Sequence, residues 1–579
     1  MSYKSKFIIS KEREQELRNF GILKPEESAR DMVERLINTL FLVEKKFGTS
    51  DQEIERLSEE FGWLLDNHYC VMSTPIINNA GRYINRPLSA CTVPPLNLNG
   101  DWKKIQHDIN RFHIDGMGTG FNFNDSVDPV KLLKKLNDLA IAGANSGQED
   151  RPVGNMAVLS VHHPKILDFI NSKTNVDYTS EQWKFNISLD ISEEFIIALK
   201  DDVDYKLWDG RKINAKRILN LAAQAAHKCG DPGLIFLQRL NVDNTTPFIA
   251  QYTSVAPCGE IGLSPGESCQ FGYINLGKLV LPNNRIDLIR LENLTRLMIR
   301  VLDNALEISI KNIFNRANQD IMRSKRKIGL GVCGLADMLI KMKLPYDSEL
   351  ARKTTKDVLA LINYISKDES IRLAKVRGSF AAMSSNECAY NKIPSFISRK
   401  FSKISTEYVS QKMWEDMDQR IRSEKMLRHC STTALPPTGR SSLVIEASAG
   451  IEPLFSVFTG GKLHPDLQVY LKSIGLYNKR ILSEIKKDRI IGKIKSLSKK
   501  IKEIYKTALE INPKGHLLMV SEIQKVIDES VSKTINLPSY YSIEGVYDIF
   551  FEAIRLNLKG VTIYRDGSRY LQPNKVAKI

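Results

Sequence analysis

The sequence lacks any uninterrupted run of about 18 apolar residues, the length that a membrane-spanning helix requires. The segment from Met1 to Phe7 also lacks the apolar stretch of a secretion signal. Cysteine is sparse, with eight residues scattered over 579 positions, unlike the pattern of a disulfide-rich secreted domain. From these absences we expect a protein of the reducing cytoplasm with no membrane partner.

The chain is basic, with 83 Lys and Arg against 67 Asp and Glu and a formal net charge of +16. Much of the excess lies between Lys472 and Lys514. Such a segment can bind nucleic acid, but the spacing of the lysines favours a solvated helix face, so we expect no nucleic-acid partner. A positive field would also suit a phosphorylated small substrate.

The most distinctive stretch is Val255–Ile261, which reads VAPCGEI. Cys258 stands between a stiff proline and a permissive glycine, a context that presents a thiol. In an extended segment residues i and i+2 point to the same side, so the Glu260 carboxylate would share a pocket with this sulfur. Cys269 follows in a second predicted strand, and two nearby thiols indicate redox chemistry, although a lone cysteine is more often structural.

Three further stretches suit ligand binding. Residues 116–124 read GMGTGFNFN, which lacks the Lys-Ser/Thr of a P-loop and is a weak signal by itself. Residues 435–443 read LPPTGRSSL, where amides, hydroxyls and Arg440 could cradle an anion, although simple packing explains such a turn equally well. Cys91 lies in the short segment LSACT, and taken alone it would be a core residue.

In their order along the chain these motifs resemble the large subunit of ribonucleotide reductases, most closely the adenosylcobalamin-dependent class II. The likeness rests on PCGE at 257–260, ESCQFGYINL at 267–276, RKIGLGVCGLAD at 326–337, KGVTIYRDGSR at 559–569 and the stretches quoted above. It implies an α/β fold, a ten-stranded α/β barrel with a central finger loop near residues 255–262 and an N-terminal helical region.

Length alone allows either one large barrel with appendages or three separate units. With the resemblance we expect an N-terminal helical region at 1–66 without a recognisable ATP cone, a catalytic barrel at 67–470, a lysine-rich helical segment at 471–530, and a closing part of the barrel at 531–579.

The resemblance also implies the chemistry. Cys258 would carry a thiyl radical, Glu260 would be its partner carboxylate, and Cys91 with Cys269 would form the redox-active disulfide that reduces the substrate. The Cα atoms of such a pair must lie within about 7 Å, although these two cysteines are far apart in sequence. The implied substrate-binding residues are Thr74, Ala90, Gly118, Pro437, Thr438, Gly439, Arg440, Ser441 and Ser442.

The C-terminal motif favours class II. Class I relatives relay a radical through a tandem tyrosine at this position, whereas Tyr564 here stands between Ile563 and Arg565. The implied cofactor is therefore adenosylcobalamin. His162 and His163 have no partner ligands at the usual spacings, so no other metal site is predicted.

Several features depart from the family pattern. Ala256 replaces an asparagine that binds the substrate sugar, and Arg440 replaces a small residue. Residues 148–156 read QEDRPVGNM where relatives have a sequence close to GGTRRGANM, so the usual specificity control is in doubt. No cysteine follows Cys430, so a thioredoxin-like or other dithiol reductant would have to reach the site directly.

These departures keep alternatives open. They are a diverged radical enzyme acting on a modified nucleotide, a class I large subunit, and a catalytically silent nucleotide-binding paralogue. Retention of Cys91, Cys258, Cys269 and Glu260 argues against the silent paralogue, because binding alone needs no thiols. The sequence leaves open whether the ribonucleotide substrate is a di- or triphosphate, and whether the protein is a monomer or a homodimer.

Overall fold

The computed structural model describes residues 3–146, 153–174, 183–459 and 462–568. The α-helices are α1 Lys11–Asn19, α2 Ala29–Leu42, α3 Asp51–Asp66, α4 Thr74–Asn79, α5 Trp102–Ile114, α6 Pro129–Asn145, α7 Ile166–Asn171, α8 Glu193–Asp201, α9 Ala215–Cys229, α10 Leu237–Val242, α11 Leu288–Asn312, α12 Arg316–Lys325, α13 Leu335–Lys341, α14 Glu349–Arg377, α15 Phe396–Phe401, α16 Gln411–Glu424, α17 Gly439–Val444, α18 Pro465–Ser473, α19 Lys479–Asp488, α20 Lys499–Ile504, α21 Pro513–Ile523 and α22 Ile543–Arg555.

The strands are β1 Cys70–Met72, β2 Cys91–Thr92, β3 Gly118–Asn122, β4 Asn155–Ser160, β5 Phe185–Asp190, β6 Asp204–Lys206, β7 Lys212–Asn214, β8 Gly233–Ile235, β9 Ser254–Val255, β10 Gly262–Leu263, β11 Ser268–Cys269, β12 Phe271–Asn275, β13 Gly329–Cys333, β14 Phe458–Thr459, β15 Lys462–Leu463, β16 Thr534–Leu537 and β17 Gly560–Arg565.

The N-terminal region is helical, as predicted. Helix α2 begins at a capping box in which Ser28 and Asp31 satisfy each other's backbone N–H groups. Its buried residues recur every three or four positions and form one apolar stripe, which packs against α3 and α11.

The first half of the barrel is a sheet of parallel strands in the order β2-β3-β4-β5-β8. Strand β4 is buried along its whole length, which agrees with its sequence NMAVLS, because parallel strands covered on both faces carry few charges. Helices such as α6, α7 and α9 connect these strands and cover the outside.

The second half also runs in parallel. Strand β12 pairs with β13, Leu330 of β13 forms a bridge with Thr433, Leu435 forms a bridge with Val531, and the segment from Val531 continues into β16, which pairs with β17. The short segment 433–435 therefore acts as the strand between β13 and β16.

Two antiparallel contacts close the barrel. Strand β11, which leads directly into β12, pairs with β2, and β17 pairs with β8. The described residues thus form ten barrel strands in two parallel halves of five, counting β11 with β12 as one strand. The predicted ten-stranded α/β barrel is confirmed.

The finger loop is the β9–β10 hairpin, and it lies between the two halves. On one side a Cβ added to Gly120 of β3 would come within 2.1 Å of the Val255 carbonyl oxygen, so only glycine admits the hairpin. On the other side the Ser530 N–H donates to the Glu260 carbonyl at 3.0 Å. The hairpin therefore crosses the barrel interior.

The first part of the lysine-rich segment packs as a satellite of the barrel. Its apolar residues, among them Leu471 and Ile485, form a separate core with Ala336 and Ile340 of α13. The later part, which includes Leu517 and Val520 of α21, packs in the main core. Among the described residues, no helix is both long enough and apolar enough to cross a bilayer.

Candidate active site

Cys258 occupies the tip of the finger loop. The Ala256 N–H donates to the Ile261 carbonyl at 3.1 Å, and the Gly259 N–H donates to the Ala256 carbonyl at 2.8 Å, which makes the turn tight. Gly259 has a φ of +76°, a conformation that a glycine adopts without strain. Cys258 is exposed, whereas the other seven cysteines are buried.

Glu260 lies two residues beyond the thiol and is 3% exposed. Burial raises the pKa of Glu260 to about 7, although the backbone N–H groups of Glu260 and Cys258 partly oppose this rise. Its Oε2 atom is buried without a hydrogen-bond partner among the residues that the structure describes. A carboxyl group with a pKa near neutrality and an unused oxygen is suited to accept and return a proton.

Cys91 and Cys269 lie directly opposite each other in the antiparallel β2–β11 pair. Residues in that relation have Cα atoms about 4.5 to 5.5 Å apart, within the range that a disulfide spans. Both are present as thiols and both are buried. The barrel closure thus brings together two cysteines that are far apart in sequence.

A cavity of about 270 Å³ opens beside Cys258. Its walls come from both halves of the barrel, and Pro437 of the 435–443 loop also lines it. Among the other lining residues are Asn186, Ser188, Thr534 and Asn536, which supply amides and hydroxyls, and Met156, Ile235 and Phe455, which supply apolar surface. A cavity with few polar groups on an apolar wall is typical of a small-molecule site.

Sequence reasoning did not single out Asn186. Its Nδ2 atom donates to the Pro257 carbonyl at 3.0 Å, so this β5 side chain supports the residue just before the thiol. Asn186 lies in a strand that reads FNISLD, where polar and apolar residues alternate, so the sequence marks one face of the strand as polar but does not distinguish Asn186 from Ser188 or Asp190.

Lys533 is a second residue that sequence reasoning missed. It lines the cavity, is buried, and forms an ion pair with Glu452. A buried lysine is found only where a partner compensates its charge, and the partner here is far away in sequence.

The 435–443 loop forms a tight turn at the start of α17. Thr438 has a φ of +57°, and its Oγ1 accepts the Gly450 N–H at 2.8 Å. Thr74 lies 3.0 Å from Ser441, measured between the hydroxyl oxygens, which joins two segments that the sequence predicts to bind substrate. Gly439 and Ser442 complete the turn through a hydrogen bond from the Ser442 hydroxyl to the Gly439 carbonyl.

Arg440 does not point into this turn. Its guanidinium lies 4.6 Å from the Phe20 ring centroid and donates to the Phe20 carbonyl at 3.3 Å. Burial lowers the pKa of Arg440. The charge expected to serve an anion cradle is instead used to attach the N-terminal region to α17.

Gly118 and Ala90 serve the barrel and the finger loop. A Cβ on Gly118 would come within 2.8 Å of Pro257 Cγ, so this glycine makes room for the hairpin. The Gly118 N–H donates to the Ala90 carbonyl, and the Ala90 N–H donates to the Cys269 carbonyl, each at 2.9 Å. Both residues therefore lie in the ladder that holds the thiol pair.

The predicted specificity loop at 148–156 falls largely outside the described residues, which resume at Val153. The His162 Nε2 atom lies 2.7 Å from the Ser192 hydroxyl, and the His163 Nε2 atom lies 3.0 Å from the Ser126 carbonyl. Within the described ranges, no group of three or more His, Cys, Asp or Glu side chains is arranged to hold a metal ion.

Tyr564 lines the cavity beside Cys258. Its neighbour Arg565 donates from Nε to the His227 carbonyl at 2.9 Å and from an Nη atom to the Ser539 carbonyl at 3.0 Å. Tyr540, of the Tyr540–Tyr541 pair, is 75% exposed and does not line the cavity. The cavity therefore contains one tyrosine of β17 and not a tandem pair.

Comparison with known families gives a direct match. The family model for the ribonucleotide reductase barrel domain matches residues 120–564. A vitamin B12-dependent ribonucleoside-diphosphate reductase of Mycobacterium tuberculosis is 30% identical over 576 residues, which cover 94% of this chain and 77% of that protein. The protein of the same name from Thermoplasma acidophilum is 31% identical over 535 residues, which cover 87% of this chain and 64% of that one.

Among solved structures, the class Id ribonucleotide reductase alpha subunit of Actinobacillus ureae superposes with a TM-score of 0.74. The match covers 98% of this chain and 99% of that subunit, at 16% sequence identity. This likeness concerns the fold alone.

Proposed function

Because this chain belongs to the ribonucleotide reductase family, we propose that it reduces ribonucleotides to 2′-deoxyribonucleotides by a thiyl-radical mechanism of the adenosylcobalamin-dependent kind. The observation that carries the proposal is the exposed Cys258 thiol at the tip of a hairpin inside the barrel, beside the buried Glu260.

Each residue has a defined role in this mechanism. The Cys258 thiyl takes the 3′ hydrogen of the ribonucleotide, and Glu260 accepts the proton of the 3′ hydroxyl while the 2′ hydroxyl leaves as water. Cys91 and Cys269 supply two electrons and two protons and become a disulfide, and Cys258 returns the hydrogen to C3′. Atoms and electrons therefore balance: one ribonucleotide and two thiols give one deoxyribonucleotide, one water molecule and one disulfide.

The residues around the cavity fit the nucleoside part of adenosylcobalamin. Asn186, Ser188, Thr534 and Asn536 offer partners for a sugar and a base, and Met156, Ile235 and Phe455 offer an apolar wall. When bound, the cofactor supplies the radical that Cys258 carries. The names of the B12-dependent relatives and the lack of a tandem tyrosine beside Tyr564 support this choice over a class I large subunit.

The 435–443 loop binds the substrate phosphates in this proposal. Its backbone amides and the Thr438 and Ser441 hydroxyls are the donors, whereas the Ser442 hydroxyl donates to the Gly439 carbonyl and shapes the turn. Pro437 carries the loop to the edge of the Cys258 cavity. Since Arg440 contacts Phe20, the loop binds phosphate without that charge.

A dithiol reductant of the thioredoxin type regenerates Cys91 and Cys269. Their pairing across β2 and β11 makes them a unit that one exchange reaction reduces. Thiols at all eight cysteine positions suit the reducing cytoplasm, where we place the reaction.

A second candidate is a radical enzyme that acts on a modified nucleotide. It is favoured by Ala256, which is fully buried next to Pro257 and offers no side-chain hydrogen bond to a sugar. Losing one such bond costs about 0.5–1.5 kcal/mol, so the change lowers affinity for an ordinary ribose without abolishing it.

The test is anaerobic incubation of the purified chain with adenosylcobalamin, a dithiol and a panel of ribonucleoside di- and triphosphates. We expect cofactor-dependent deoxynucleotide, and the preferred member of the panel identifies the phosphate length. Product formed without adenosylcobalamin but with an added small subunit would support class I. No product from any nucleotide, with the cofactor bound and intact, would overturn the assignment and favour the modified-nucleotide alternative.

A further inference from the structure

A cluster of buried charges lies at the base of the finger loop. Its members are Glu267, Lys325, Lys327 and Glu529, all almost fully buried, together with the buried Tyr252. We call these five residues the anchor cluster. Two lysines face two glutamates, so the cluster is neutral as a whole, which is the condition under which charges tolerate burial.

Lys327 is the centre of the anchor cluster, and it contacts both legs of the hairpin. Its Nζ atom donates to the Gly262 carbonyl of β10 at 2.8 Å and to the Tyr252 hydroxyl, just before β9, at 2.9 Å. The same atom lies 3.1 Å from Glu267 Oε1 and 3.1 Å from Glu529 Oε1.

Lys325 extends these contacts beyond β10. Its Nζ atom donates to Glu267 Oε2 at 2.8 Å and to the Ser264 hydroxyl at 3.1 Å. Glu267 Oε2 also accepts the Ser264 N–H at 2.9 Å. The chain that leaves the hairpin is therefore fixed at Ser264 as well as at Gly262.

Glu529 connects the anchor cluster to the tip of the loop. The Tyr252 hydroxyl lies 3.3 Å from Glu529 Oε1. The next residue, Ser530, donates its N–H to the Glu260 carbonyl at 3.0 Å. A displacement of Glu529 would therefore move the backbone that carries the Glu260 carboxylate.

Lys327 and Glu267 are held in the ionised state by the charges around them. Burial alone would lower the pKa of Lys327, but the Glu267 and Glu529 carboxylates raise it above its ordinary value. Burial would raise the pKa of Glu267, but Lys325 and Lys327 lower it to about 2. An ionised lysine is a strong donor, so its hydrogen bond to the Gly262 carbonyl is charge-assisted.

We propose that Lys327 is a positioning residue for the radical chemistry: it fixes both legs of the finger loop so that Cys258 and Glu260 keep their relative placement. The inference rests on the proposed function for its catalytic meaning. Its structural content, an ordered hairpin, is independent of catalysis and can be measured separately.

The test uses a charge-balanced double variant, Lys327→Met with Glu529→Gln. It removes one charge of each sign, so the anchor cluster stays neutral while the bonds to Gly262 and Tyr252 are lost. The matched control is Arg300→Met with Glu44→Gln, which removes an ion pair between the partly buried Arg300 of α11 and the buried Glu44 of the segment between α2 and α3. Hydrogen exchange of the peptide spanning residues 254–263 is measured by mass spectrometry, together with the alkylation rate of the exposed Cys258.

We expect exchange in this peptide and alkylation of Cys258 to rise about tenfold in the Lys327 variant, with exchange elsewhere close to that of the control. Turnover should fall while KM changes little, because neither substituted residue belongs to the 435–443 loop. Hairpin exchange equal to that of wild type, or a uniform rise over the whole chain, would overturn the proposal.

Tyr252→Phe covers the case in which the double variant does not fold. It removes only the hydroxyl that bridges Lys327 and Glu529, and we expect a smaller rise in hairpin exchange, about threefold. An unchanged rate would contradict the proposal. A wild-type chain with an ordered hairpin but no reductase activity would contradict the proposed function and leave the positioning role intact.

Discussion

At the scale of single residues, the environment of Glu260 is the clearest indication of proton-transfer chemistry. The residue is buried and its Oε2 has no partner in the described part of the chain, so the carboxyl group has a pKa close to neutral pH. An ordinary surface glutamate would be ionised throughout the neutral range and would bind a proton only weakly.

The first prediction concerns the pH dependence of turnover. Because the pKa of Glu260 is about 7, the carboxylate that would accept the substrate proton forms as the pH rises through this value. We expect turnover to rise with pH through an apparent pKa near 7 and to fall by about 100-fold or more in Glu260→Gln. A wild-type profile that is flat in this range, or an unchanged inflection in the variant, would contradict the role.

The second prediction concerns stability. The folded-state pKa of Glu260 is raised, so the folded state holds a proton that the unfolded chain has already lost between about pH 4.5 and 7. The free energy of unfolding therefore decreases across this window as the pH rises. Glu260→Gln should be more stable than wild type by roughly 2–4 kcal/mol near pH 8, with little difference near pH 4. Urea denaturation at both pH values measures the difference, and equal gains at both would exclude ionisation as the cause.

The reactive residues of the candidate site could be predicted from the sequence where they belong to one short motif. Cys258 and Glu260 share one short motif, so their nearness follows from local backbone geometry. Asn186 and Lys327 contact the same loop, but their partners Pro257 and Gly262 are 71 and 65 residues away in sequence. A local sequence pattern does not predict contacts over such separations.

At the scale of secondary structure elements, the finger loop depends on space that the barrel strands provide. Gly120 and Gly118 of β3 face the hairpin where a side chain would collide with Val255 or Pro257. The glycine-rich motif at 116–124 is thereby explained by packing against the loop.

The third prediction follows from this packing. In Gly120→Ala the new Cβ would lie 2.1 Å from the Val255 carbonyl, so the hairpin must shift. We expect a loss of about 1–3 kcal/mol of stability and at least a tenfold loss of turnover. Gly492→Ala is the control, because its Cβ would meet only the flexible end of Glu510 at 2.7 Å. Similar turnover in both variants would show that the loop tolerates displacement.

The fourth prediction concerns the β2–β11 pair. Because Cys91 and Cys269 are register partners, mild oxidation should join them in a disulfide that peptide mapping detects. Cys70 and Cys333, which lie on strands on either side of β12, should not be joined under the same conditions. Oxidation that instead links chains to each other, with Cys91 and Cys269 unmodified, would contradict the assignment.

The shortest strands could not be predicted from sequence patterns. Strands β2, β9, β10 and β11 have two residues each, too few to display an alternation of apolar and polar positions. The longer helices, such as α2 and α9, carry clear apolar stripes and caps and could be placed directly.

At the scale of the whole molecule, closure of the barrel creates the site. The two antiparallel contacts, β2 with β11 and β8 with β17, bring the thiol pair together and place β17 beside Cys258. Local patterns predict strands and helices but not which strands meet at closure, so this part of the fold came from the resemblance to the family.

The N-terminal helices and the lysine-rich satellite attach to this barrel at different places. Arg440 attaches the N-terminal region to the 435–443 loop through Phe20, and α13 contributes to the core of the satellite. The sequence predicted both segments as helical, but the contacts of Arg440 could not be anticipated, because a basic residue in an anion-binding turn suggests a ligand first.

The measurement that tests the central claim most directly compares the wild type with Cys258→Ser in anaerobic reduction of the preferred nucleotide, with adenosylcobalamin and a dithiol. Cys258 is exposed, and a serine side chain differs little in volume from a cysteine side chain. The variant should therefore fold and bind nucleotide as the wild type does. The account predicts cofactor-dependent deoxynucleotide from the wild type and none from Cys258→Ser. Product formation by the variant at the wild-type rate would contradict a thiyl radical at Cys258.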